Sequence, residues 1–222
     1  MRTRIKFCGM VRPVDVDAAV ALGVDAVGFV FYPPSPRCID RAEARRLRER
    51  LPSFVAAVGL FVDAAAATVR ETVAEVGLDV VQFHGNESPA QCATAAGGVP
   101  FWRAVRVRAR GDLLESASSY SGAEALLADS FSEGYGGSGK AFEWTWVPAP
   151  HERRLPLIMS GGLDAGSVTE AIARVAPTGV DVSSGIQGSD PRTKEWAKME
   201  RFVAAVIGAD ATKAGRGPDT GQ

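Results

Sequence analysis

The chain is poor in the residues that would mark a disulfide-stapled or metal-clustered protein. Three cysteines occur in 222 residues, an odd number at wide spacing, which argues against a disulfide framework and against a zinc cluster. A reducing, cytoplasmic setting is the simplest expectation. No apolar run approaches the roughly 20 residues of a membrane span, and the apolar part of the opening MRTRIKFCGM is too short for a signal peptide. No membrane partner is expected. Charge of one sign is not in excess either: 25 Lys and Arg stand against 26 Asp and Glu, for a net −1. That balance gives no general attraction for nucleic acid or an acidic membrane, so any anion site must be local. A dinucleotide fingerprint is also missing, because the first apolar segment ends in Cys8-Gly9-Met10 and not in G-x-G-x-x-G.

What is present points to an alternating α/β chain. Hydrophobic residues make up 46% of the sequence and charged residues 23%, near the averages of globular domains. The stretch LPLIMSGGLDAGSVTEAIARVAPTGVDVSSGIQG, 155–188, contains two short apolar runs that end in Ser160-Gly161-Gly162 and Ser183-Ser184-Gly185. Between them Asp164 is expected to cap a helix to about residue 175, stopped by Pro177 and Gly179. Read as strand, helix, strand, this sets two small-residue turns side by side at the carboxyl ends of parallel strands. Backbone N–H groups in such turns, with glycine allowing close approach, suit a phosphate. In an eight-stranded α/β barrel, the loops after strands 7 and 8 are the usual phosphate site.

The rest of the chain supplies six further strands, expected at 5–7, 24–31, 54–62, 79–83, 99–107 and 125–128. Helices are expected at 14–22, 40–51, 64–76, 88–96, 112–120 and 194–207, with a Pro-rich loop at 32–39 and a Gly/Ser-rich loop at 130–140. GVDAV (23–27), GLDVV (77–81) and GVDVS (179–183) share a pattern in which glycine closes a helix and aspartate opens the following strand. Eight strand–helix units in residues 1–208 leave no room for a second domain, so one (β/α)8 barrel is expected. Residues 209–222 are polar and Gly-rich and read as a disordered tail.

In such a barrel chemistry sits at the carboxyl ends of strands, where Cys8, Arg37, His84 and Asp129 fall. Cys8 after strand 1 and Asp129 after strand 6 flank the turns of strands 7 and 8, an arrangement that fits an acid and a base on either side of an anchored phosphosugar. Each also has a plain alternative. Cys8 reads equally as a packed thiol, Asp129 as a turn cap, Arg37 as a solvated charge and His84 as a junction residue. Cys38 and Cys92 read as packing residues and His151 as a surface one.

The motifs KFCGM (6–10), GFVFYPPSPR (28–37), VGLFVD (58–63), VQFHG (81–85), LADS (127–130), GGSGKAFEW (136–144), MSGGL (159–163) and VDVSSGIQ (180–187) run in one order over about residues 3–207. Together they resemble the phosphoribosylanthranilate isomerase family. The resemblance implies a (β/α)8 barrel without cofactor or metal, acting on a small phosphorylated substrate, with a monomer as the expected state. It implies an Amadori rearrangement in tryptophan biosynthesis, with Asp129 as the acid that opens the ribose ring and Cys8 as the base at C2′. It assigns Arg37 to the anthranilate carboxylate, Gly161, Gly162, Ser184 and Gly185 to phosphate, Asp181 to the ribose and His84 to the mouth. A thiol titrates near 8.5 when free, so a basic Cys8 calls for a nearby positive charge; Lys6 is close in sequence. The chain departs from the family at Gln187, where an acidic residue is frequent, and at Ser160, where alanine is common, both beside the expected phosphate site. A related phosphosugar isomerase of histidine biosynthesis, or a dual-substrate form, would be expected to carry a carboxylate in place of Cys8. A non-catalytic phosphosugar-binding barrel would have no need of both Cys8 and Asp129.

Overall fold

Alternation within each strand decides the architecture. In β1 (Arg4–Cys8) Ile5 and Phe7 turn outward, where Phe7 meets Phe202 edge-on at 6.1 Å, while Lys6 and Cys8 turn inward. The same two-residue period holds for β2 (Ala26–Val30), β3 (Ala56–Phe61), β4 (Val80–Phe83), β5 (Phe101–Val107), β6 (Ala125–Ser130), β7 (Leu157–Met159) and β8 (Gly179–Val182). A computed structural model describes residues 2–130 and 143–215. In it the eight strands pair in parallel in chain order, and β8 closes onto β1 through the register Arg4↔Gly179 to Phe7↔Val182. The expected single (β/α)8 barrel is what forms.

Helices α1 (Pro13–Ala21), α2 (Arg41–Arg48), α3 (Ala66–Val76), α4 (Pro89–Ala96), α5 (Asp112–Ser119), α6 (Val168–Val175) and α7 (Trp196–Gly215) cover the outside. Their starts are written locally. Asp40 with Glu43 and Ser88 with Gln91 form reciprocal capping boxes on α2 and α4, and Pro13 and Pro89 occupy first turns. Between β6 and β7 the described residues hold two short 3-10 turns, Trp144–Trp146 and Pro150–Glu152. The Gly/Ser-rich loop from residue 131 onward and most of GGSGKAFEW lie outside the described residues.

The core has two compartments. A shell of apolar side chains joins the outer face of the sheet to the helices. Inside the barrel, Ala26, Val58, Val80, Ala104, Ala125, Leu127 and Ile158 pack around Trp102 and fill the amino-terminal half. The opposite half of the interior is polar, and function sits there. Among the described residues no helix is long and apolar enough to cross a membrane.

Three expectations change. The helix credited to Asp164 begins at Val168. Asp164 instead accepts from the N–H groups of Gly166 and Ser167, which folds the preceding residues into a turn. The third repeat, GVDVS, is not a junction of the other two's kind. Gly23 and Gly77 are left-handed at φ 75 and 74, and Asp25 and Asp79 each accept a backbone N–H of the preceding strand, from Ile5 and Ala57. At β8 the left-handed cap is Ala176, Gly179 is already strand, and Asp181 lies one turn of pleat higher inside the barrel. Finally, α7 continues to Gly215, so 209–215 extend the helix and do not form a tail; 216–222 lie outside the described residues.

Candidate active site

The polar half of the interior opens into a cavity with an empty volume of about 740 Å³, lined by residues that include Cys8, Arg37, His84, Asp129, Ser160, Gly161, Gly162, Asp181 and Ser184. Residues far apart in sequence therefore meet at one mouth. The two small-residue turns form its floor on one side. Gly161 and Gly162 are both left-handed, at φ 80 and 74, a conformation costly for other residues. A Cβ on Gly161 would sit 2.4 Å from the Ser130 nitrogen and 2.8 Å from Asp129 Oδ1. A Cβ on Gly185 would sit 2.0 Å from the Leu163 carbonyl oxygen. The turns after β7 and β8 thus press against each other, and the first presses against Asp129.

On the β6 side, Asp129 is buried, with Oδ1 accepting from the Ser130 N–H at 2.9 Å. Its Oδ2 lies 3.0 Å from His84 Nε2, and His84 Nδ1 lies 3.4 Å from Gln82 Nε2. The Arg106 guanidinium donates to the His84 carbonyl at 3.3 Å. His84, expected only to line the mouth, is in direct contact with Asp129. β4 and β6 deliver the pair through inward positions.

On the β1 side, Cys8 is 5% exposed. Burial pushes its thiol upward most strongly; Lys6 and Lys194 pull it down and Asp181 pushes it up, and the net displacement is upward. Lys6 does point into the barrel, but its Nζ donates to Asp181 Oδ1 at 2.8 Å in a fully enclosed ion pair. Burial opposes the Lys6 charge, and Asp181 and Cys8 more than offset that, leaving Lys6 above its ordinary value.

Arg37 reaches the mouth from the Pro-rich loop. Burial lowers its pKa, its Nη2 donates to Gln187 Oε1, and among the described residues its Nε is buried without a partner. A half-buried guanidinium holding only a neutral amide is prepared for an anion. Arg192 fixes the loop by donating to the carbonyls of Pro36 and Cys38, both at 3.1 Å.

The two departures act elsewhere than expected. Gln187 spends its side chain on Arg37, and Ser160 Oγ donates to Asp181 Oδ2 at 3.3 Å. They bear on Arg37 and on Asp181 more than on the two glycine turns. Cys92 is fully buried, Cys38 is half-buried and His151 is exposed, away from the mouth. Sequence reasoning missed Gln82 and Lys194, and placed Ser183 only in the second small-residue turn. Gln82 carried a weak signal as a polar residue inside an apolar strand, and Lys194 carried none.

The match to known proteins covers the whole barrel. A family model described as N-(5′phosphoribosyl)anthranilate isomerase matches residues 5–205. The N-(5′-phosphoribosyl)anthranilate isomerase of Ralstonia nicotianae is 49% identical over 219 residues, covering 95% of each chain. Among solved structures, the phosphoribosylanthranilate isomerase of Thermotoga maritima superposes with a TM-score of 0.85 at 38% identity, over 93% of this chain and 99% of that one. Another, holding reduced 1-(o-carboxyphenylamino)-1-deoxyribulose 5-phosphate, gives 0.82 at 35% identity, with the same coverage. With a family model matched over residues 5–205 and relatives near half identical along its length, this closed parallel barrel belongs to the phosphoribosylanthranilate isomerase family.

Proposed function

We propose that Cys8 and Asp129 divide the proton transfers of the isomerisation between the two sides of the mouth. The reaction converts N-(5′-phosphoribosyl)anthranilate to 1-(2-carboxyphenylamino)-1-deoxyribulose 5-phosphate, a step of tryptophan biosynthesis. The phosphate is held by the N–H groups of the Gly161-Gly162 and Ser184-Gly185 turns, and the anthranilate carboxylate by Arg37, whose fork suits a planar anion. Asp181 and Ser160 face the ribose.

Protonated Asp129 gives its proton to the ring oxygen, the C1′–O bond breaks and the nitrogen lone pair forms a Schiff base. In that acid form Asp129 donates to His84 Nε2 at rest, which puts the imidazole proton on Nδ1 and calls for an acceptor there. The Gln82 amide can turn to offer Oε1, an atom buried without a partner among the described residues. The thiolate of Cys8 then removes the C2′ proton, and the C–H electrons move toward the iminium to give an enolamine. Proton return to C1′ and loss of the hydroxyl proton at C2′ complete the ketone.

One observation carries this reading: Cys8 and Asp129 line the same cavity with the two glycine turns between them. Because burial holds the Cys8 thiol above its ordinary range, only the minor thiolate fraction is active at neutral pH, and kcat/KM should rise with pH as Cys8 ionises. Cys8→Ala and Asp129→Asn are each expected to lower kcat by roughly 10²–10⁴, the usual worth of one positioned proton-transfer group, with KM little changed. Steady-state kinetics on the anthranilate substrate decide it; a Cys8→Ala enzyme with near wild-type kcat would return Cys8 to simple packing.

A further inference from the structure

The β1 side of the mouth holds a charge that the proton transfers leave unused. Lys194, in the loop between β8 and α7, is 5% exposed. Its Nζ donates to the Ser183 carbonyl at 3.0 Å and to Ser183 Oγ at 3.3 Å, both neutral acceptors. Among the described residues no carboxylate pairs with it. Buried lysines are ordinarily paired, and an unpaired buried ammonium is costly; burial, helped by Arg37, brings Lys194 down to about 8. A local rule broken at the edge of an active site is expected to serve that site.

The groups around Lys194 narrow down what it serves. Arg37 faces it from the β2–α2 loop, Cys8 from β1, Asp181 from β8 and Asp15 from α1. Asp15 is already held by Arg12 at 2.6 and 2.9 Å and by the Lys194 backbone N–H at 3.1 Å, and Arg12 also donates to the Lys194 carbonyl. Asp181 is held by Lys6 and Ser160. At Cys8 the pull of Lys6 is the largest of the charges and Asp181 opposes it, while Lys194 and Arg37 are two further cations beside the thiol that have only neutral hydrogen-bond partners among the described residues. Geometry ties Lys194 to Cys8, since Ser183 Oγ, which accepts from Lys194, donates to the Cys8 carbonyl at 3.0 Å.

We propose that Lys194 is a positioning residue for Cys8: its unpaired ammonium, locked on Ser183 behind β1, stabilises the thiolate that takes the C2′ proton. Lys194 itself transfers no proton. The catalytic consequence rests on Cys8 being the base, while the hold on the thiol does not.

The test is Lys194→Met, an apolar side chain of similar length, read by the pH dependence of Cys8 alkylation with iodoacetamide. The Cys8 peptide is followed by mass spectrometry so that Cys38 and Cys92 do not interfere. At pH 7, where Lys194 is charged, labelling is expected to be roughly tenfold slower than in wild type, and the two rates should converge above pH 8 as Lys194 loses its proton. kcat/KM at pH 7 should fall by the same factor at unchanged KM, and Lys194→Arg should restore most of both. Stability supplies an independent readout. The Lys194 charge is penalised in the folded chain alone, because its folded value of about 8 lies below its ordinary 10.5. The penalty is therefore complete below pH 8 and fades as pH rises toward 10.5. The Met variant should melt at or above the wild-type temperature at pH 7, with the gap closing at alkaline pH. An unchanged labelling rate at pH 7, with or without a raised KM, overturns the proposal, and so does a Met variant that unfolds where wild type is folded. A labelling shift with no matching shift in kcat/KM would sink Cys8 as the base and leave the hold of Lys194 on the thiol standing.

Discussion

The two sides of the mouth stabilise their reactive groups by opposite means. Asp129 sits on hydrogen bonds: a backbone N–H on one oxygen and an imidazole on the other. Such contacts reorganise when a proton moves, because His84 can donate to a carboxylate or accept from a carboxylic acid. Cys8 sits in a field: a closed Lys6–Asp181 ion pair below, a lone ammonium behind and little solvent. A field does not reorganise with the proton, but it shifts the balance between thiol and thiolate. In the roles proposed for them, a carboxyl group that releases and regains a proton is suited to exchangeable partners, and a thiol held above its ordinary range is suited to fixed charge.

That contrast can be broken in order of size. Lys6→Met should have the largest effect. It strands Asp181 as a buried carboxylate without its cation, and removal of one partner from a buried pair costs about 3–5 kcal/mol; urea midpoints measure it. A midpoint equal to wild type would mean that the pair is wetter and weaker than its 2.8 Å contact implies. His84→Gln tests the other side. The amide can keep a hydrogen bond to Asp129 but cannot exchange a ring proton, so kcat should fall roughly 10–100-fold, about 1.4–2.7 kcal/mol, with little change in melting temperature. Unchanged kcat would leave His84 as a wall of the cavity. The smallest effect concerns the anchor the two sides share. Inorganic phosphate at about three times its Kd should add about 0.8 kcal/mol of stability, seen as a rise of about two degrees in melting temperature. Gly161→Ala should abolish that protection, because a Cβ there collides with Ser130 and Asp129.

Local signals were sufficient wherever the physics is local. Asp40, Ser88, Pro13 and Pro89 announce helix starts, and near-continuous apolar runs announce strands buried on both faces. The small-residue ends of β7 and β8 announce backbone open to an anion. The family's motifs, matched in order, pointed to Cys8, Asp129, Arg37 and the turns after β7 and β8, and the cavity is lined by Cys8, Asp129, Arg37, Gly161, Gly162 and Ser184, while Gly185 packs against Leu163 behind them. The errors came where one local pattern has two structural meanings. GVDVS looks like GVDAV and GLDVV, yet its glycine opens the strand where theirs stand three residues before it, and that odd offset turns an edge-capping aspartate into an interior one. Asp164 looks like a helix cap because a turn and a helix start ask the same thing of a carboxylate.

What the sequence determined by itself is the barrel, the order of its strands and the chemical types at its mouth, since these follow from periodicity, caps and motifs within a few residues of one another. Only the tertiary structure decided partnership: that His84 reaches Asp129, that Lys6 spends its charge on Asp181, that Gln187 holds Arg37, and that Lys194 meets no carboxylate among the described residues. Those contacts join residues up to 175 positions apart, brought together when β8 closes on β1, and a buried charge's effect depends on which neighbours have already neutralised it.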